Sequence, residues 1–189
     1  MTESELVTGC RSGDREAQHE LYARTSQRIH RLLLRMTRDP EAAFDLAQDT
    51  YLRAFARIEQ FDGRSSLATW LYRIAVTEAL QFLRRDRRIR SKLREGLPEG
   101  VAESAGDRVA ARLDVNDALA AIDPTDRLML LLRYQEGLDY RTIAEVTDCA
   151  PGTVASRLNR ARQRLRSLLE SGYASGEEAS PPEHPKEGG

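Results

Sequence analysis

Apolar residues recur at steps of three and four through most of this sequence, which is the spacing of one face of an α-helix. The clearest run consists of Leu21, Ile29, Leu32, Leu33 and Met36. Ala, Leu, Arg and Glu are abundant, whereas β-branched and aromatic residues are scarce, and this balance favours helices over strands. The sequence therefore predicts an all-α fold.

Several of the predicted helices begin at recognisable capping residues. Asp14 and Ser66 each precede a periodic segment, and their side chains can accept hydrogen bonds from its first N–H groups. Asp39-Pro40 and Asp123-Pro124 add a proline at the first helical position, where no N–H group is needed. Gly137 is expected to end the helix that begins at Asp123-Pro124.

The periodic segments fall into two groups. Residues 1–90 are predicted to form one small helical domain and residues 108–170 a second. Residues 91–107 contain a proline, several glycines and few apolar positions, which predicts a flexible linker. Residues 171–189 are rich in Gly, Ser, Pro and Glu, which predicts a disordered tail.

The formal net charge of −1 hides an uneven distribution of arginine, which is concentrated in residues 84–94 and 157–166. Local basic patches favour binding to a polyanion, although a solvated helix face would have the same composition. Cys10 and Cys149 lie far apart, and neither a disulfide framework nor a zinc site is indicated. No signal peptide or membrane-spanning run is recognisable, so a cytoplasmic protein without membrane insertion is expected.

Residues 140–169 have the pattern of a helix-turn-helix. Ile143, Val146, Val154 and Leu158 are spaced as the shared core of two crossing helices, and Ala144 is the small residue that their close approach requires. The turn contains an aspartate, Asp148, where glycine would be easier, although aspartate tolerates left-handed geometry better than most residues.

The last long helix separates an apolar stripe from a polar face. The residues outside the stripe are Thr153, Ser156, Arg157, Asn159, Arg160 and Arg164. Such a face suits a recognition helix in the major groove, where side chains reach base edges and phosphates. The alternative is a surface helix of another bundle, in which the arginines only maintain solubility.

The helix that begins near Leu67 presents a second polar face. Its members recur at steps of three and four: Trp70, Arg73, Thr77, Gln81, Arg84 and Arg88. Arginines next to an exposed aromatic ring suit single-stranded nucleic acid. Phe61 and the polar loop 62–66 precede this helix and could capture a base rotated out of the stack. Equally, Trp70 could be a core residue among ordinary surface arginines.

An enzymatic site would need converging acids, bases, nucleophiles or metal ligands. His19, His30 and His184 are scattered along the sequence, and no phosphate-binding glycine loop is present. The sequence predicts no catalytic residue, no metal site and no cofactor.

Three stretches resemble the extracytoplasmic-function (ECF) sigma factors, the small two-domain members of the sigma-70 superfamily. They are DLAQDTYLRA (45–54), FDGRSSLATWLYRIA (61–75) and GTVASRLNRAR (152–162). The resemblance extends from about Gly13 to Leu169. It implies a region 2 domain that binds core polymerase and the promoter −10 element, and a region 4 helix-turn-helix domain that binds the −35 element.

The resemblance also implies a role for individual residues. The positions matching the polymerase-binding helix are Asp45, Leu46, Gln48, Asp49 and Leu52. Those matching the −10 DNA-binding surface are Phe61, Asp62, Gly63, Arg64, Ser65, Ser66, Thr69, Trp70, Arg73, Thr77, Gln81 and Arg84. Those matching the −35 DNA-binding surface are Tyr140, Arg141, Thr142, Pro151, Gly152, Thr153, Ala155, Ser156, Asn159 and Arg160.

The implied partners are the β′ clamp and β subunits of core RNA polymerase, promoter DNA and an anti-sigma factor, in a stress or envelope response. Two positions depart from the family pattern: Thr77 replaces the usual asparagine, and Ala155 replaces a frequent Lys or Arg. Gln81 stands where an acid or amide is common. A stand-alone helix-turn-helix regulator is the alternative function, but it leaves the face around Trp70 and the helix 45–52 without a role.

Overall fold

A computed structural model describes residues 1–95 and 115–177, and these residues contain helices but no strand. The helices are α1 (Glu3–Arg11), α2 (Arg15–Thr37), α3 (Pro40–Ala56), α4 (Leu67–Glu95), α5 (Val115–Ala120), α6 (Pro124–Leu130), α7 (Tyr140–Thr147) and α8 (Pro151–Glu177). A single 3-10 turn, Ile58–Gln60, follows α3, and a π-helical segment, Leu131–Gln135, continues α6. The predicted all-α class is confirmed.

The predicted helix starts are confirmed by their hydrogen bonds. The Asp14 carboxylate accepts a hydrogen bond from the Glu16 N–H at 2.8 Å, and the Asp39 carboxylate accepts from both Glu41 and Ala42. Asp123 caps α6 in the same way. At the start of α4, the Ser66 hydroxyl accepts from the Thr69 N–H at 3.1 Å. Each cap satisfies N–H groups that the first helical turn leaves without a partner.

Helices α1–α4 form the first unit, whose core is built from the predicted stripe of α2 together with α3 and α4. Leu33, Met36, Leu71 and Ala75 are fully buried there. Helix α1 was not predicted, although it buries three residues, Leu6, Val7 and Cys10. It approaches α2 closely at Gly9, where a Cβ atom would lie 2.5 Å from that of Ala17.

Helices α5–α8 form the second unit, which contains the predicted helix-turn-helix in α7 and α8. Ile143, Val146, Val154 and Leu158 are buried together, as their spacing predicts. Asp148 ends α7 with φ of +50°, so the turn does require the left-handed conformation expected for it.

Two helices extend beyond the predicted boundaries. Helix α4 continues to Glu95, past the predicted start of the linker at residue 91, and α8 continues to Glu177, past the predicted start of the tail at residue 171. Phe44 of α3 is apolar, yet it is 61% exposed. Two segments lie outside the described residues. One is 96–114, with most of the predicted linker and the start of the predicted second domain, and the other is 178–189.

The two units pack against each other through polar contacts and a shared apolar cluster. Arg38 at the end of α2 forms an ion pair with Asp117 of α5 at 2.7 Å. The Tyr72 hydroxyl of α4 donates a hydrogen bond to the Glu136 carboxylate. This packing places α7 against α4.

Candidate nucleic-acid interface

The polar face of α8 is open to solvent. Val154, Leu158 and Ala161 point into the core of the second unit, and this orientation turns Asn159 and Arg160 outward. Pro151, Gly152 and Ser156 are also exposed, whereas Thr153 and Ala155 are half-buried. A helix with a buried stripe and an exposed face of amide and guanidinium groups has the form needed to enter the major groove.

The start of α7 is held by its capping residue, Asp139. The Asp139 carboxylate accepts a hydrogen bond from the Thr142 N–H at 2.7 Å, and this bond lowers the pKa of Asp139. The Arg133 guanidinium lies 5.5 Å from the centre of the Tyr140 ring. Arg141 is exposed, at 3.5 Å from Glu145, so its long side chain can reach a phosphate at little cost.

Trp70 and Phe61 lie at the other candidate DNA surface, and their rings meet edge to face at 5.6 Å. Trp70 is half-buried and packs against the core with part of its ring, and the rest of the side chain is open to solvent. Phe61 is only 5% exposed, which corrects its assignment as a DNA-contacting side chain. Its ring packs against Trp70 instead, and its main-chain carbonyl accepts a hydrogen bond from Arg11.

Thr69 also needs correction as a direct DNA contact, because its side chain is 7% exposed. Its hydroxyl shares a 2.8 Å hydrogen bond with the Ser66 hydroxyl at the cap of α4. Both residues therefore shape the junction between the loop and α4, although Ser66 itself is exposed.

The loop 62–66 is exposed except for the half-buried Ser65, and it turns at Gly63, whose φ is +73°. Asp62 pairs with Arg64 at 3.1 Å. One side of the loop faces α1 across a depression of about 340 Å³. Its walls include Glu3, Ser4 and Arg11 of α1. Sequence reasoning missed this contribution because α1 itself was not recognised.

Four further members of the α4 face are exposed and line one wall of a cleft of about 390 Å³. These members are Arg73, Thr77, Gln81 and Arg84. Residues 146–148 of the helix-turn-helix lie on the opposite side. The Arg73 Nε donates a hydrogen bond to the main-chain carbonyl of Glu145 at 2.9 Å, so the two units meet across this face.

Helix α3 presents a mixed surface of a kind that suits a protein partner. Asp45, Gln48 and Asp49 are exposed, and Leu52 is 62% exposed beside them. Leu46 is buried in the core at 7% exposure, which corrects its assignment as a contact and makes it a residue that orients the helix.

The exposed apolar part of this α3 surface extends beyond the predicted residues. Phe44 and Leu52, with Tyr22 of α2, border a groove of about 470 Å³. Exposed apolar side chains rimmed by carboxylates and amides are typical of protein-binding surfaces.

Other kinds of site find little support in the part of the chain that the structure describes. Residues 1–95 and 115–177 contain no group of three or more histidine, cysteine or acidic side chains placed to hold a metal ion. Within the same residues, no helix combines the length and apolarity of a membrane span. The buried carboxylate of Glu78 lies 3.3 Å from Arg53, which explains its burial without a catalytic role.

Two family models match the chain: sigma-70 region 2 over residues 21–89, and sigma-70, region 4 over residues 112–165. The ECF RNA polymerase sigma-E factor of Haemophilus influenzae is 31% identical over 183 residues, which cover 90% of this chain and 96% of that protein. The RNA polymerase sigma-H factor of Pseudomonas aeruginosa is 30% identical over 186 residues, which cover 89% of this chain and 94% of that protein.

Two solved structures share the fold. The sigma factor RpoE of Bartonella quintana, in complex with the anti-sigma factor NepR, is 27% identical and has a TM-score of 0.64; the match covers 80% of this chain and 96% of that one. CnrH, in complex with the cytosolic domain of CnrY, is 22% identical with a TM-score of 0.69, over 89% of this chain and 97% of that one.

Proposed function

The chain belongs to the ECF group of the sigma-70 family of RNA polymerase sigma factors, and from this membership we propose how its surfaces share the recognition of a promoter. The protein is a transcription initiation factor that acts with core RNA polymerase and promoter DNA. The observation that carries the division of roles is the separation of three exposed surfaces, on α3, α4 and α8.

The α8 surface reads the −35 element as duplex DNA. Asn159 and Arg160 contact base edges in the major groove, because their side chains leave the helix on the face opposite its buried stripe. Pro151, Gly152 and Ser156 bring the helix start close to the groove. Thr153 and Ala155 lie at the edge of this surface. Ala155 adds only a small apolar contact, so less base reading is expected at its position.

Residues at the start of α7 hold the phosphate backbone. The contacts come from Tyr140, Arg141 and Thr142, near the helix start. Such contacts fix the register of the recognition helix without specifying sequence.

The α4 surface, with the loop before it, binds the opened −10 element. Arg73 and Arg84 hold phosphates, Thr77 and Gln81 offer hydrogen bonds between them, and the exposed part of Trp70 stacks on a base. Asp62, Gly63, Arg64, Ser65 and Ser66 present the loop that receives an extruded base. Phe61 and Thr69 support this surface from beneath.

The α3 surface binds core polymerase. Asp45, Gln48 and Asp49 supply charge and hydrogen bonds, and the exposed Leu52 supplies apolar contact; together they dock on the β′ clamp. Helix α8 and its surroundings lie against the β subunit. An anti-sigma factor is a further partner, which is supported by the complex of the related RpoE with NepR.

The protein acts without catalysis of its own, in the cytoplasm, in a stress or envelope response. Transcription in vitro from a genomic promoter library, with and without the full chain added to core polymerase, tests the proposal. We expect start sites that share −35 and −10 motifs and that depend on the chain. Sequence-specific DNA binding by the chain alone, unchanged by polymerase, would instead support a stand-alone regulator.

A further inference from the structure

We infer that the distal part of α4, residues 84–93, binds the phosphate backbone of the duplex that adjoins the opened −10 element on its upstream side. This inference rests on the proposed function of the α4 surface. It extends that surface beyond Arg84, the last position that matches the −10 site. It also gives a role to one of the two arginine-rich stretches of the sequence.

The distal part of α4 is exposed and strongly basic. From Arg84 to Leu93 every side chain is exposed except that of Asp86, which is half-buried. Residues 84–93 contain six arginine or lysine residues and one acidic residue. Two pairs of like charges, Arg84 with Arg88 and Arg88 with Lys92, lie four residues apart, a spacing that destabilises an isolated helix. A helix that bears this cost is better explained by a polyanionic partner than by solubility alone.

The cations of the distal part form one face, in line with the proposed −10 surface. Steps of three and four from Gln81 lead to its members: Arg84, Arg87, Arg88 and Lys92. The opposite side of the helix carries the apolar Ile89 and Leu93. Asp86 also lies on that side, where it pairs with Arg90 at 2.9 Å. The carboxylate in this stretch therefore does not neutralise the basic face.

The composition of the basic face suits a duplex better than an opened strand. Residues 84–93 include no aromatic side chain that could stack on an unpaired base. Guanidinium and ammonium groups bind phosphates without reading the sequence. The face from Arg84 to Lys92 spans about 12 Å of helix, which corresponds to the phosphates of roughly three or four base pairs along one strand.

The order of the proposed contacts along α4 gives the position of this duplex. The loop 62–66 and Trp70 lie at the start of the helix, where the opened bases are received. The −35 element is read as duplex by α8, so the DNA between the two elements is double-stranded. The distal part of α4 accordingly contacts the end of that duplex next to the −10 element.

The basic face is accessible even while the two units are packed together. The cleft between α4 and the helix-turn-helix reaches Arg84 on α4, and Arg73 inside it is bonded to the Glu145 carbonyl. Arg87 and Arg88 lie further along the helix and are exposed. Contact with duplex DNA at these residues therefore does not require the units to separate.

The test measures the salt dependence of promoter binding by the full chain with core polymerase, on a promoter recovered by the library transcription. Arg87→Gln combined with Arg88→Gln removes two cations from the basic face. We expect the slope of log affinity against log salt concentration to become shallower by about 2, and affinity at low salt to fall about tenfold. Arg87→Lys combined with Arg88→Lys keeps both charges and should keep the slope. Arg90→Gln removes a cation from the opposite side of the same helix and should also leave the slope unchanged.

Two DNA fragments locate the contact. One carries the opened −10 strand joined to upstream duplex, and the other ends at the upstream edge of the −10 element. The glutamine double variant should bind the first more weakly than the unmodified chain does, and the second equally well. An equal loss on both fragments, an equal loss in Arg90→Gln, or an unchanged slope overturns the inference and leaves the proposed function intact. Absence of any promoter-dependent complex with the unmodified chain overturns both.

Discussion

The Arg127 guanidinium of α6 donates a 2.9 Å hydrogen bond to the main-chain carbonyl of Met36, near the end of α2 in the other unit. Arg127 is only 7% exposed, and its Nε has no hydrogen-bond partner among the described residues. Burial lowers the pKa of this side chain, and the nearby Arg38 adds to the effect. The carbonyl end of a helix attracts a cation, which offsets part of the cost of burying it.

Removal of this contact should loosen the packing of the two units. A hydrogen bond from a charged group contributes about 1.5–3 kcal/mol, so Arg127→Ala should speed amide exchange in α4 and α7 roughly 10- to 100-fold. Hydrogen exchange read by mass spectrometry measures this. Arg133→Ala is the control for exchange in α4, because Arg133 makes a similar bond to the Leu138 carbonyl within one unit. Equal exchange in both variants would show that Arg127 does not hold the units together.

The same variant should affect DNA binding by the free chain. Arg73 meets the Glu145 carbonyl of α7, so a DNA strand along the α4 surface competes with this contact. Single-stranded −10 DNA should therefore bind Arg127→Ala more tightly than the unmodified chain, by a few-fold, in fluorescence anisotropy. Binding of −35 duplex should change little, because Asn159 and Arg160 are already exposed.

Features set by local sequence were predictable. The capping residues Asp14, Asp39 and Asp123 act within a few residues of the chain, and so do the apolar stripes of α2 and α8. The positions of exposed polar residues such as Arg160 follow from the same helical spacing.

Features set by contacts distant in sequence were not predictable. Phe61 looked like an exposed loop aromatic, yet its burial depends on α1 and on Trp70. Leu46 shares a helix with the exposed Asp45 and points the other way, into the core. The bond between Arg127 and Met36 joins residues that no local pattern relates.

The turn residue Asp148 offers a test of stability. Its φ of +50° is a conformation that glycine adopts without strain. Asp148→Gly should raise the free energy of unfolding by about 0.5–1 kcal/mol, and Asp148→Val should lower it by about 1–2 kcal/mol. Urea unfolding followed by far-UV circular dichroism measures both. Asp148→Asn, which tolerates the same conformation, is the control and should match the unmodified chain.

The α3 surface can be tested separately from DNA binding. Gln48→Ala combined with Asp49→Ala removes exposed polar groups from the proposed polymerase contact, so affinity for core polymerase should fall about tenfold, as for a moderate interface contact. Competition for core polymerase against a labelled sigma factor measures the loss. Glu41→Gln, also exposed on α3, is the control. Undiminished competition by the double variant would show that this surface of α3 is not part of the polymerase interface.

Arg160 lies on the exposed face of α8, one helical position from the buried Ala161 that orients it. A guanidinium that reaches a guanine edge or a phosphate contributes about 1–3 kcal/mol, so Arg160→Ala should weaken transcription from −35-dependent promoters roughly 5- to 100-fold. Loss of a base contact relaxes base selection at one −35 position. Loss of a phosphate contact instead lowers the affinity for all −35 sequences equally and reduces the salt dependence of binding.

Arg166→Ala is the control, because it removes an exposed arginine that is paired with Glu170 further along α8. Docking on the β′ clamp should be the same for both variants, because the α3 surface is on the other unit. Normal −35 selection by Arg160→Ala would mean that α8 does not read the promoter through this face.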